Sequence, residues 1–270
     1  MLAHLRRRRI LQELQAKGGA RLTDLSEALS VSEMTIRRDL DALQKDGLIE
    51  RVHGGAVLAQ LATDEPGFDQ KVHREQAEKA AVAEAAAAMV KPGLAVALSA
   101  GTTTWALAGR LAACERLTVV TNSLDVWSAL QRAAHGTTVI LTGGESRTPS
   151  GALVGPTADA SIRSLHFDVL FLGVHGLDPT AGLTTPNIAE AETNRTFISR
   201  ARRLVVVADH TKWRTTALCT MADLSDVDTL VTDSGLPEEA RRQLRARIGD
   251  VVVAEVEGLD VPRVASSDMF

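Results

Sequence analysis

Apolar residues recur along this chain at two different periods, and the change of period divides it. In LRRRRILQELQAKG, Leu5, Ile10, Leu11 and Leu14 fall at helical spacing before Gly18-Gly19. RLTDLSEAL puts Leu25, Ala28 and Leu29 on one face and offers Thr23 as N-cap. VSEMTIRRDLDALQKDG offers Ser32 as N-cap, sets Ile36, Leu40 and Leu43 at i, i+4 and i+7, and stops at Gly47. LIERVHGGAVL then alternates and turns at Gly54-Gly55. Helix, helix, tight turn, helix and hairpin predict a small winged helix-turn-helix domain over residues 1–57.

Residues 58–73, LAQLATDEPGFDQKVH, have no clean period and carry Pro66-Gly67, so they read as a linker. EQAEKAAVAEAAAAMV is a strong helix, and from Pro92-Gly93 short apolar runs alternate with helical stretches. The runs are LAVAL, LTVVT, TVILTGG, DVLFLG, LVVVAD, DTLVTD and VVVAEV. Strands separated by helices imply βαβ units. Residues 74–270 are therefore expected to form an α/β domain with a mostly parallel sheet and helices on both faces.

Composition narrows the function classes. Charged residues make up 24% of the 270 and the formal net charge is −4, so neither disorder nor a polycation is expected. The first 57 residues nevertheless hold ten Lys/Arg against eight Asp/Glu, leaving −6 for the remainder, an asymmetry that suits nucleic acid at the N-terminal end. Cys114 and Cys219 are far apart, with neither disulfide nor zinc spacing. The basic N-terminus lacks an apolar signal core, and the alanine-rich run is too short for a bilayer and contains Glu84. A cytoplasmic protein without membrane contact is expected.

With Ile36, Leu40 and Leu43 inward, Arg38 points away from the core, flanked by Met34 and Asp41 on one side and Thr35 on the other. An outward guanidinium can fork onto guanine O6 and N7 in the major groove. Arg38 and Thr35, with Met34 and Glu33, are thus candidates for bases. Ser32, Arg37, Arg51 and His53 are candidates for the phosphate backbone.

The second candidate site starts at ALSAGTTTWALAG, where an apolar run stops at Ser99 and a helix begins after Gly101. In an open α/β sheet, ligands sit beyond the carboxyl ends of strands, at helix N-termini. Gly101 admits close backbone approach, and Thr102, Thr103 and Thr104 add hydroxyls to free N–H groups, a cradle for an anion. No Walker lysine and no GxGxxG is present, which argues against a nucleoside triphosphate or a nicotinamide cofactor, and no cofactor is expected. Other strand ends add Asn122-Ser123, Gly143-Gly144 with Arg147, His175, and Asp209 to Lys212. Such a rim suits a small, hydroxyl-rich, phosphorylated molecule. An isomerase would need a carboxylate base and an electrophile there, for which Glu190, Glu192, Asp209 and Lys212 are candidates. Histidines show no metal spacing; His175 and His210 are the two able to meet on the rim, and no metal is expected.

VSEMTIRRDLDALQKDGLIERVHGGA, together with AGTTT, VTNS, LTGGESR, LTTPNIAEAETNR and ADHTKW in order, resembles the DeoR family of transcriptional regulators, in its GlpR-like branch. The resemblance covers nearly the whole chain. It implies a repressor of sugar or polyol catabolic genes whose effector domain is related in fold to ribose-5-phosphate isomerase and binds a phosphorylated inducer. Carried over by position, Gly101, Thr102 and Thr103 would cradle the phosphate, with Asn122, Gly143, Gly144 and Lys212 lining the pocket. It also implies operator DNA as partner and a homodimer or homotetramer. Ser99, His175 and Arg214 depart from the family pattern, the first two by removing negative charge from the rim. The competing reading is a sugar-phosphate isomerase with an accessory DNA-binding head.

Overall fold

The computed structural model describes residues 2–17, 19–52, 54–58, 62–133, 136–146 and 149–256. The chain divides into two compact units, Met1–Leu61 and Ala62–Phe270.

The first unit runs α1 (Ala3–Lys17), β1 (Ala20–Arg21), α2 (Leu22–Leu29), α3 (Glu33–Lys45), β2 (Ile49–Val52) and β3 (Gly55–Leu58), with sheet order β1-β3-β2. Ile10, Leu14, Leu22, Leu25, Leu29, Ile36, Leu40, Leu43, Ile49 and Ala56 form its core. This is the expected winged helix-turn-helix. Ser32 caps α3, its Oγ accepting from Thr35 N at 3.3 Å. Thr23, expected to cap α2, does not. The helix starts at Leu22, whose N donates to Gly54 O at 2.8 Å, so the wing takes the place of a side-chain cap. A Cβ on Gly55 would lie 2.2 Å from Ala20 O, which is why the wing needs glycine where it closes on β1. Leu5 is 46% exposed and Ala28 is exposed, so both fall outside the core expected of them.

A charged residue on α3 is buried too: Asp39 pairs with Arg6 and, at 3.3 Å, with Arg7. Two members of the four-arginine run are thereby spent on holding α1 to α3.

The second unit opens with α4 (Phe68–Val72) and α5 (Gln76–Ala87), continuing into β4 (Ala95–Leu98), α6 (Thr102–Leu111), β5 (Thr118–Thr121), α7 (Leu124–Ala133) and β6 (Thr138–Leu141). Then come β7 (Glu145–Ser146), β8 (Leu153–Val154), α8 (Pro156–Arg163), β9 (Val169–Gly173), β10 (Gly176–Asp178), β11 (Gly182–Thr185) and α9 (Ile188–Arg200). It ends with β12 (Leu204–Val207), β13 (Cys219–Ala222), β14 (Thr229–Asp233), α10 (Glu238–Arg245) and β15 (Asp250–Ala254). Seven strands make one parallel sheet in the order β15-β14-β12-β9-β4-β5-β6, one for each apolar run of the sequence. Alternate strand residues go to opposite faces. Val96, Leu98 and Phe171 pack with α5, α6 and α7, whereas Ala97, Leu170 and Leu172 pack with α8, α9 and α10. A small antiparallel sheet, β10-β11-β13, closes the second face. The stretch expected as linker contains α4, because Phe68 anchors it edge-on against Trp105.

Candidate functional site

Two surfaces carry chemistry, one on each unit. On the first, Glu33, Met34, Arg37 and Arg38 of α3 are exposed, Met34 to 58%, while Thr35 is half-buried and lies 3.0 Å from Ser32 through its hydroxyl. Arg51 on the wing pairs with Asp41 at 3.1 Å. An exposed pair of this kind contributes about 1 kcal/mol or less, so a phosphate can displace it. His53 and, on the second unit, Arg147 lie outside the described residues.

The second surface follows from strand order. From β4 the chain steps through β5 and β6 to one side, then returns to β9 on the other side of β4 and continues through β12 to β15. The carboxyl ends of β4 and β9 therefore flank the topological switch point, where an open α/β sheet leaves a crevice. Gly101 to Thr103 follow β4, His175 follows β9, and Asp209 to Lys212 follow β12 beside it.

Gly101 is the N-cap of α6, and no side chain caps the helix. Its first N–H groups are left for something else to satisfy. Thr102 and Thr103 sit there at 8% and 7% exposure. Gly143 and Gly144 both have positive φ; a Cβ on Gly144 would come within 2.7 Å of Val154 O.

Four residues expected to face the ligand turn their polar groups inward instead. Ser99 Oγ accepts from Gly173 N at 3.0 Å, tying β4 to β9. Thr104 Oγ1 donates to Ser99 O at 2.7 Å and to Gly101 O at 3.0 Å. Asn122 Oδ1 accepts from Ala100 N and its Nδ2 donates to Leu153 O, each at 3.0 Å. Ser123 Oγ accepts from Val126 N at 3.2 Å, at the start of α7. All four are fully buried. They shape the turn before α6 and its neighbours, and their side chains are already engaged.

Charged groups collect on the β9 and β12 side. Burial, reinforced by Lys212 and Lys71, pushes His175 down to about 4, so it is neutral at physiological pH. Burial, with Glu65 alongside, raises Glu190 to about 7. Asp209 is buried; its Oδ1 accepts from Thr211, and its Oδ2 has no partner among the described residues. His210 is engaged by Asp233: its Nδ1 lies 2.9 Å from Asp233 Oδ1. Among the described residues no cluster of three His, Cys, Asp or Glu could hold a metal.

Two further cations stand here that the sequence reading did not single out. Lys71, on α4, is pushed down by burial and faces Glu190, Glu65 and Lys212. Lys79, on α5, is lowered to about 8 by burial and faces Asp209.

The His210–Asp233 pair has a pH signature. The hydrogen bond to Asp233 raises His210 against the cost of burial. Burial opposes ionisation of Asp233, but His210 and backbone N–H groups outweigh it and lower the pKa. The imidazolium contribution is therefore full below about pH 6.5 and lost as pH rises through the raised value. The carboxylate contribution is present above about pH 3.9 and lost as pH falls through the lowered value. Wild type is expected to melt above His210→Asn by a margin that is largest between these limits and shrinks toward alkaline pH. Equal margins at pH 6 and pH 9 would remove the charge from the pair.

Residues 6–61 match the DeoR-like helix-turn-helix domain and residues 74–234 the DeoR C terminal sensor domain. The chain is 37% identical to the HTH-type transcriptional regulator GlpR of Haloferax volcanii, over 91% of this chain and 96% of that one. It is 33% identical to the glycerol-3-phosphate regulon repressor of Escherichia coli, over 84% and 90% of the two chains. It is also similar to a D-ribose-5-phosphate isomerase solved in complex with phospho-erythronic acid, at 16% identity and a TM-score of 0.39, over 52% of this chain and 54% of that one. The chain belongs to the DeoR family of transcriptional regulators, with a DNA-binding winged helix-turn-helix ahead of a sensor domain.

Proposed function

We propose that the chain represses genes of carbohydrate or polyol catabolism and leaves its operator when a phosphorylated sugar or polyol enters the switch-point crevice. The observation that carries this reading is the uncapped N-terminus of α6 beside the β4 and β9 ends. Its N–H groups and dipole suit a phosphoryl group. Thr102 and Thr103 stand at that end, and Gly143 and Gly144, which follow β6, are assigned to the same rim. Lys212, neutral His175 and the free Oδ2 of Asp209 suit the hydroxyl-rich remainder. The name of the Escherichia coli relative points the same way. Glu190 near 7 has the profile of a general base. The relatives, however, are named as regulators, which favours sensing over isomerisation. A mobility-shift assay on the chain's own upstream DNA, titrated with glycerol 3-phosphate, ribose 5-phosphate and other phosphorylated sugars, tests this. Release by one of them is expected; a complex indifferent to all of them would overturn the reading.

On the operator, Arg38 reads bases together with Thr35, Met34 and Glu33, while Ser32, Arg37 and Arg51 hold phosphates. One such head spans few base pairs, so a cytoplasmic homodimer or homotetramer on paired half-sites fits best. Arg38→Ala is expected to weaken operator binding by about 1–3 kcal/mol and to relax preference at one base pair. An equal loss on random DNA would make Arg38 a phosphate contact.

A further inference from the structure

A strap from Ala62 to Glu75 follows the head in the chain and is tied to the sensor domain at several points. Leu218 N donates to Ala62 O at 2.8 Å, and Phe68 N donates to Pro149 O at 3.1 Å. The Phe68 ring stands at 87° to Trp105 of α6, with centroids 6.1 Å apart. Lys79 Nζ, coming from α5, donates to Lys71 O at 2.6 Å and also to Arg74 O, fastening the end of α4.

These ties bring Lys71 to the charged side of the crevice. It faces the carboxyl groups of Glu190 and Glu65, with Lys212 and Arg74 as like-charged neighbours, and it acts on His175. Burial lowers its pKa despite the two carboxyl groups, so their attraction does not make good the lost hydration. Such a cation gains from an anion more highly charged than its present partners. Its helix is short: α4 has five residues, Lys71 half-buried among them and none fully buried, and no side chain caps it at Gly67.

We propose that the strap is a wall of the effector site, in which Lys71 binds the anionic group of the phosphorylated ligand, gives up Glu190 and Glu65 for it, and so re-seats the segment that leads from the head. The inference rests on the effector reading above and adds to it a ligand-binding residue outside the strand ends, and with it a route from ligand to DNA. Arginine can replace lysine in such a contact as a charge, whereas methionine keeps only the apolar stem.

The test uses the full chain, with calorimetric titration of glycerol 3-phosphate, ribose 5-phosphate and inorganic phosphate, and hydrogen exchange of strap amides with and without the tightest of the three. Lys71→Met is expected to weaken binding by about 10-fold or more, equivalent to about 1.4 kcal/mol. Lys71→Arg is expected to stay within about 3-fold of wild type. Strap amides are expected to change their exchange on binding. Wild type that binds, with Lys71→Met binding equally well, overturns this inference and leaves the effector reading standing. Equal losses in Lys71→Met and Lys71→Arg, or a strap whose exchange ignores the ligand, also overturn it. Wild type that binds none of the three probes counts against both.

Discussion

Thr102→Asp is expected to abolish the response to a phosphorylated effector: affinity measured by calorimetry falls 100-fold or more, and the ligand no longer frees the operator. Thr102 is the first residue of α6 and only 8% exposed, at the helix end where N–H groups have no side-chain cap. The helix N-terminus offers about half a positive charge to an anion. A carboxylate fixed there confronts the phosphoryl group instead. Two unit charges about 4 Å apart repel by about 4 kcal/mol at an effective dielectric near 20, and the phosphoryl group carries more than one charge. That is roughly 1,000-fold in affinity. The variant should fold, because an acidic residue in the first turn favours the helix. Thr102→Ser, which keeps a hydroxyl, is expected to respond as wild type does. Release of the Asp variant at wild-type ligand concentrations would place the phosphoryl group elsewhere.

The parallel sheet was legible because each of its strands is a short, largely apolar run, most of them rich in Val, Ile and Thr, between helical stretches. The antiparallel sheet was not. GLD, GLTT and CTMA are short and lack alternation, and the last joins across a long separation in the chain, Cys219 pairing with Thr185. The site divides the same way. Strand, glycine, threonines and helix locate the mouth of α6 from local pattern alone. The same pattern cannot separate a polar side chain that meets a ligand from one that bonds the next strand. Ser99 and Asn122 bond neighbouring segments, while Thr104 and Ser123 bond the backbone of their own turns. Lys79 did leave a trace: with Val82, Ala83 and Ala86 it falls at i, i+3, i+4 and i+7, on the face that packs inward. A lone base on the buried stripe of an alanine-rich helix marks a cation with a task. Lys71 left none, since five residues of helix are too few to show a period.

Asp39→Ala is expected to destabilise the DNA-binding unit by about 2–3 kcal/mol, close to the cost of removing one member of a buried ion pair. Asp39 exposes 3% of its side chain and meets Arg6, which exposes 12%, and Arg7, which exposes 38%. Arg7 is wet enough that its share is small. The loss therefore falls mainly on the Arg6–Asp39 contact that ties α1 to α3. Because the sensor domain has its own cores, the effect should be local. Amides in α1 and α3 are expected to exchange roughly 30- to 150-fold faster, matching that free energy, while those in β9 and β12 hold their wild-type rates. Operator binding should fail at a lower temperature than in wild type, because α3 presents Arg38 only while α1 braces it. Asp39→Asn, which keeps two acceptor lone pairs but no charge, is expected to fall between the two. Unchanged exchange in α1 and α3 would show that the arginines find water as readily as they find Asp39, and that the apolar residues alone hold the recognition helix in place.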